Sequence, residues 1–195
     1  MTTAILAGGN ELNAGTDYMT RLAQDIMVRV QQPKILSCNF AKPNPTGRRE
    51  STAIWMSAFK QHFPDSEIIE AKEELFYEQV ADADVIYLHG GRTQALFDAL
   101  PDFARSCEAF RGKVVVGGSA GANYLARLGY SPNHEVFLEG AGFVDVAVLV
   151  HYGSADFADG DGWQDILAKV QERAQGDIIC LAEGEFVVIE IKEER

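Results

Sequence analysis

Short apolar runs recur along this chain with helical patterns between them, and that alternation constrains the fold more than any other feature of the sequence. Residues 3–6, 34–38, 67–69, 85–89 and 114–117 read as successive strands, and residues 17–30, 50–62, 74–81 and 93–110 as helices, the last broken at Pro101. Beyond Gly117 the pattern continues with a helix over 121–128, an irregular stretch, a strand near 146–150 and a helix over 163–174. Residues 177–181 and 186–191, separated by Glu183-Gly184-Glu185, read as a closing hairpin-like pair. Such alternation predicts an α/β chain with a doubly wound, mostly parallel sheet. With 195 residues and no linker-like tract, a single domain over 1–195 is expected. The turn-rich PNPTGRR segment, residues 43–49, reads as a loop.

Open parallel sheets bind ligands beyond the carboxyl ends of their strands. The residues at those ends here are Gly8-Gly9-Asn10, His89-Gly90-Gly91, Gly117-Gly118-Ser119 and His151. The most specific of them lies in VVVGGSAGAN, where Gly117, Ser119 and Gly121 satisfy G-x-S-x-G between a Val-rich strand and a helix. A sharp strand-to-helix turn of this type strains the serine backbone, so its neighbours must be small. It exposes the Ser119 hydroxyl and sets the Ala120 amide at a helix start, where it can donate to a developing oxyanion. The same turn without an activated serine would be an anion-binding helix start.

A serine hydroxyl needs a base to act as a nucleophile at neutral pH. Among His62, His89, His134 and His151, the last follows the apolar run VAVLV at a strand end and is the expected base. His62 and His134 read as surface residues, and His89 as a strand-end residue that could approach the site. Several carboxylates could orient the imidazole. Glu135 is the first choice, followed by Glu139 and Glu183, with Asp156 also placed suitably. Gly90 and Gly91, lacking side chains, suit a second oxyanion donor. Arg92 is a candidate for holding a substrate carboxylate, with Arg127 and the pair Arg48-Arg49 as further candidates.

Charge excludes one large class of function. The 29 acidic against 17 basic residues give a net charge of -12, which repels a nucleic-acid backbone. Three cysteines, Cys38, Cys107 and Cys180, fit neither a disulfide framework nor a zinc site and read as reduced thiols. No apolar run approaches the roughly 18 residues of a membrane span, and the N-terminus carries no signal pattern. A soluble, cytoplasmic protein with no membrane partner is expected.

The sequence IYLHGGRTQAL, followed by VVVGGSAGAN and then LVHYG, resembles peptidase family S51, the family of peptidase E and cyanophycinase, within the type 1 glutamine amidotransferase-like superfamily. The resemblance spans nearly the whole chain. It implies a flavodoxin-like three-layer α/β fold, with Ser119 as nucleophile, His151 as its histidine and Gly90-Gly91 as the oxyanion loop. The chain departs from the family in having Arg92 where Asn or Asp often stands and in a shorter stretch between Ser119 and His151. Gly153 also occupies the place of the amidotransferase acid. The expectation is a cofactor-independent serine hydrolase acting on a dipeptide or short peptide, with a homodimer as a common assembly for such folds. The alternative is a ligand-binding or regulatory protein that keeps the turn without efficient turnover. An amidotransferase-like domain would need a thiol where Ser119 stands.

Overall fold

The computed structural model describes residues 1–13, 17–131, 134–158 and 160–192. In chain order the first half runs β1 (Thr2–Ala7), α1 (Asp17–Met27), β2 (Ile35–Cys38), α2 (Pro45–His62), β3 (Ile68–Glu70), α3 (Phe76–Asp82), β4 (Val85–Leu88), α4 (Thr93–Ala99) and α5 (Phe103–Ala109). The second half runs β5 (Val114–Gly118), α6 (Ala120–Leu125), β6 (Ala126–Ser131), β7 (Val136–Glu139), β8 (Val144–Leu149), α7 (Gly160–Arg173), β9 (Ile178–Cys180) and β10 (Phe186–Ile191).

The strands form two sheets. A six-stranded sheet has the order β10-β1-β5-β4-β2-β3, parallel except for β10, which pairs antiparallel with β1. A four-stranded sheet has the order β7-β6-β8-β9, with β7 antiparallel to β6 and the others parallel. This is the mixed α/β, mostly parallel architecture of a flavodoxin-like three-layer fold.

Strand periodicity explains how the layers pack. In β1, Ala4 and Leu6 face one apolar cluster while Ile5 and Ala7 face another against Tyr18, Leu22 and Phe59 of α1 and α2. In β8, Val144, Val146 and Val148 enter the first of these clusters, and Ala147 and Leu149 turn to a third with Trp163, Ile166 and Val170 of α7. The cluster shared by both sheets also contains Tyr124 of α6, whose hydroxyl donates to Leu100 O at 3.0 Å and accepts from the Ser106 hydroxyl at 2.8 Å. Pairing that buried hydroxyl removes the desolvation cost it would otherwise carry.

Several local features follow directly from sequence. The break at Pro101 separates α4 from α5 because the residue before a proline is pushed out of the helical region, and Leu100 sits at ψ 62. Asp102 then caps α5 by accepting from the Arg105 amide. Within the segment read as a loop, Asn44 caps α2 and Pro45 occupies its first turn. That helix therefore starts at Pro45 and not at residue 50. Proline without its N–H loses nothing there.

The stretch after α6 is not irregular, because the helix ends at Leu125 and the chain enters β6 at once, with β7 following. A short apolar run does not reveal its period, and YLARLGY serves helix and strand equally well until β8 pairs with it. The closing segments are not a hairpin either. β9 pairs with β8 in the smaller sheet and β10 with β1 in the larger. The turn between them crosses from one sheet to the other.

Candidate active site

The parallel register brings the carboxyl ends of β1, β4 and β5 to one line, with Leu6 and Leu88 both opposite Gly117. β5 then turns sharply into α6. Ser119 stands at the turn with φ 48 and ψ -100, a conformation that a side chain adopts only under strain. The turn is tight enough that a Cβ on Gly117 would lie 2.5 Å from the Gly121 carbonyl, and one on Gly121 would lie 2.2 Å from Leu88 O. Those contacts explain why the two outer glycines of G-x-S-x-G stand where they do.

His151 arrives from the other sheet. Its amide donates to Gly8 O at 2.8 Å, fastening the end of β8 to the end of β1. Its ring stacks on Phe157 with centroids 4.4 Å apart and lies over Gly9, where a Cβ would come within 2.2 Å of the imidazole. So held, Nε2 accepts from the Ser119 hydroxyl at 2.9 Å. The other nitrogen, Nδ1, lies 2.9 Å from Glu183 Oε1. A carboxylate cannot donate, so the neutral imidazole carries its proton on Nδ1 and presents a lone pair to the serine. Asn10 Nδ2 donates to the second carboxylate oxygen, Glu183 Oε2, at 2.8 Å.

Glu183 occupies the turn that crosses between the sheets. Glu185 N donates to Ala182 O, and Gly184 N to Gly9 O at 3.0 Å, which pins the turn beside β1. Partial burial would raise the Glu183 carboxyl, but the hydrogen bonds from Asn10 and His151 outweigh it and hold the group below its ordinary value of 4.5. Ionised Glu183 therefore stabilises the fold above that ordinary value, and the contribution is lost as pH falls through the lower folded value. The expected outcome is that Glu183→Gln melts below the wild type at neutral pH and that the two melting temperatures converge in acid. Thermal melts over a pH series check this, and a gap that is constant with pH refutes it.

The carboxylate on the histidine is thus Glu183, not Glu135. Glu135 is exposed in the turn before β7, and Glu139 is exposed at the end of that strand. Asp156 is exposed in the loop after His151. Among the described non-glycine residues with positive φ, Asn10, Ser119 and His151 all belong to this constellation and Glu135 does not. Strain concentrates where the groups meet.

Gly90 and Gly91 lie beside the serine. A Cβ on Gly90 would be 3.2 Å from Ser119 Cβ, and neither glycine amide finds an acceptor among the described residues. Together with the amide of Ala120 at the start of α6, they are donors with nothing to donate to. Arg92 does not join them. It is exposed and does not line the cavity, and only its backbone is engaged, donating to Ala41 O at 2.8 Å. Arg127 is held away by Asp145, and Arg48 by Glu73. The cation that does line the cavity is Lys42, which sequence reasoning passed over.

The remaining histidines stand apart. His89 is fully buried, hydrogen-bonded to Ser37 Oγ at 2.8 Å and stacked on Tyr87. Burial depresses its pKa well below the usual value, so it stays neutral. His62 ends α2, and His134 is exposed. Among the described residues no group of three His, Cys, Asp or Glu side chains is placed to hold a metal ion.

In front of Ser119 opens a cavity of about 350 Å³, walled by Trp55, Phe157 and Val150 and edged by Asn10, Glu11, Lys42, Thr93 and Asn123. The sequence profile of peptidase family S51 matches residues 58–194, a span that holds the serine, the histidine and the carboxylate. The chain belongs to peptidase family S51. A search of the curated proteins finds no match. Among solved structures, the chain is similar to a peptidase from an acI-B1 Actinobacterium, with 22% identity over 97% of this chain and 83% of that one, at a TM-score of 0.69. It is also similar to a putative peptidase E protein from Listeria monocytogenes EGD-e, with 18% identity over 99% of this chain and 96% of that one and the same TM-score of 0.69. At these identities the likeness is one of fold. Asn10 and Glu11 lie outside the span that the profile matches. Among the described residues no helix is long and apolar enough to cross a membrane.

Proposed function

We propose that this member of family S51 is a serine peptidase that cleaves a dipeptide or short peptide through an acyl-enzyme. The observation that carries the proposal is the continuous relay Glu183–His151–Ser119, with both links at 2.9 Å and the serine on a strained turn. Ser119 Oγ attacks the scissile carbonyl carbon as its proton passes to His151 Nε2. The Nδ1 proton stays hydrogen-bonded to Glu183, whose negative charge stabilises the imidazolium that forms. The tetrahedral oxyanion is stabilised by the amides of Ala120 and of Gly90 or Gly91. His151 then returns its proton to the leaving amine, the C–N bond breaks, and Ser119 is left acylated. Water, deprotonated by His151, hydrolyses the ester and restores the serine.

A cavity of about 350 Å³ suits a ligand of a few residues at most. The three free cysteines support a reducing, cytoplasmic setting for this activity.

A fluorophosphonate probe tests the activated serine directly. Intact-mass spectrometry should show one adduct on the wild type, none on Ser119→Ala and slow labelling of His151→Ala. No adduct on the wild type would overturn the peptidase reading in favour of a binding protein.

A further inference from the structure

The relay accounts for Ser119, His151, Glu183 and Asn10, but it makes no use of Glu11, which lines the same cavity. Glu11 is only 6% exposed, and its Oε1 is buried without any hydrogen-bond partner. The oxygen lies against the backbone of the elbow: a Cβ on Gly118, the residue before the nucleophile, would come within 2.0 Å of it. Two other buried side-chain atoms among the described residues, His89 Nδ1 and Asn123 Oδ1, also lack partners. An imidazole can move its proton and an amide can turn, so each of those can be relieved by a rearrangement of donors. While ionised, a carboxylate has only acceptors, so turning the group does not relieve it.

A buried carboxyl oxygen without a partner costs stability, and it does so here beside Ser119. Burial raises the Glu11 carboxyl above its ordinary value, a hydrogen bond from its own backbone amide and the charge of Lys42 partly offset this, and the charge of Glu183 adds to it. Lys42 shares the cavity with Glu11 but forms no ion pair with it, so opposite charges face a common space without joining. A ligand that brings a positive charge into that space would give Glu11 a charged partner within the cavity it lines.

We propose that Glu11 is the specificity-determining carboxylate of this cavity and receives a cationic nitrogen of the substrate. The inference rests on the peptidase reading for its use in turnover, but the binding it describes does not depend on catalysis. Two sources of the cation share this chemistry, the free α-amino group of a substrate's first residue and the side-chain ammonium of a lysine.

Calorimetric titrations on Ser119→Ala, which binds without turning over, separate the two sources. The probes are alanyl-alanine against its N-acetyl form, and N-acetyl-lysyl-alanine against N-acetyl-norleucyl-alanine. One member of each pair lacks the cation. The expected result is that Ser119→Ala prefers the cationic member of one pair and that adding Glu11→Gln removes the preference, a loss of about 10- to 100-fold in affinity for that ligand. The pair that shows the loss names the source. Thermal melts of Glu11→Gln confirm that the fold is intact. No cation preference in Ser119→Ala, or one unchanged by Glu11→Gln, overturns the inference. Cleavage and fluorophosphonate labelling of the wild type report separately on the peptidase reading, so either idea can fail while the other stands.

Discussion

Replacing His151 by Ala is expected to reduce kcat on a cleavable peptide by on the order of 10⁵–10⁶, and the double variant Ser119→Ala/His151→Ala should be no worse than either single variant. The reason is that the two residues act as one unit. Ser119 Oγ has its proton acceptor at 2.9 Å and no second base among the described residues, because His89 is buried on Ser37 and His62 and His134 stand elsewhere. Without the imidazole the hydroxyl keeps its proton, and without the hydroxyl the imidazole has nothing to activate. Either loss leaves only what binding and the oxyanion donors contribute, roughly 10³-fold over water. Steady-state kinetics on the three variants decide the matter. Additive losses in the double variant would mean that serine and histidine act in separate steps, which the geometry does not allow for.

Glu183→Gln should lower kcat by about 10²–10⁴, whereas Glu135→Gln and Glu139→Gln should match the wild type. An amide of nearly the same shape preserves packing but can present an N–H to His151 Nδ1. That favours the tautomer with its proton on Nε2, which then faces Ser119 with a donor in place of an acceptor. It also withdraws the negative charge that stabilises the imidazolium. Glu135 and Glu139 lie exposed at the two ends of β7 with no part in this relay. Measuring kcat and KM for the three variants side by side tests the assignment. Equal activity in all three would remove the carboxylate from the mechanism, and a loss confined to Glu135→Gln would restore the choice suggested by sequence position.

Stripping the Ser119 turn down to its residues shows how far sequence reaches. The motif GGSAG needs small residues because of contacts made within a few positions of itself and with the adjacent strand, so its meaning is local and can be read directly. The placement of His151 is nearly as local, since it follows the last apolar residue of a recognisable strand. The alternating runs of residues 3–6, 85–89 and 114–117 likewise specify strands that the structure keeps with shifts of a residue or so.

What sequence could not decide depends on pairing between distant segments. Residues 178–180 and 186–191 are adjacent in the chain and both apolar, which favours a hairpin on local grounds. Yet the edge of β1 takes one and the edge of β8 takes the other. That split turns the Glu183 segment into a crossing between sheets and delivers its carboxylate to His151 from 32 positions away. Among so many acidic residues no spacing rule selects Glu183 over Glu135, because the distance that matters is measured across the fold. The same holds for Glu11 and Lys42, whose proximity to the serine appears only once β1, β5, β4 and β2 lie in that order in one sheet. The sequence by itself determined the class of fold and singled out Ser119 and His151, all carried by short-range sterics and periodicity. Only the tertiary structure decided which carboxylate completes the relay and which charges face the cavity, since both follow from strand order.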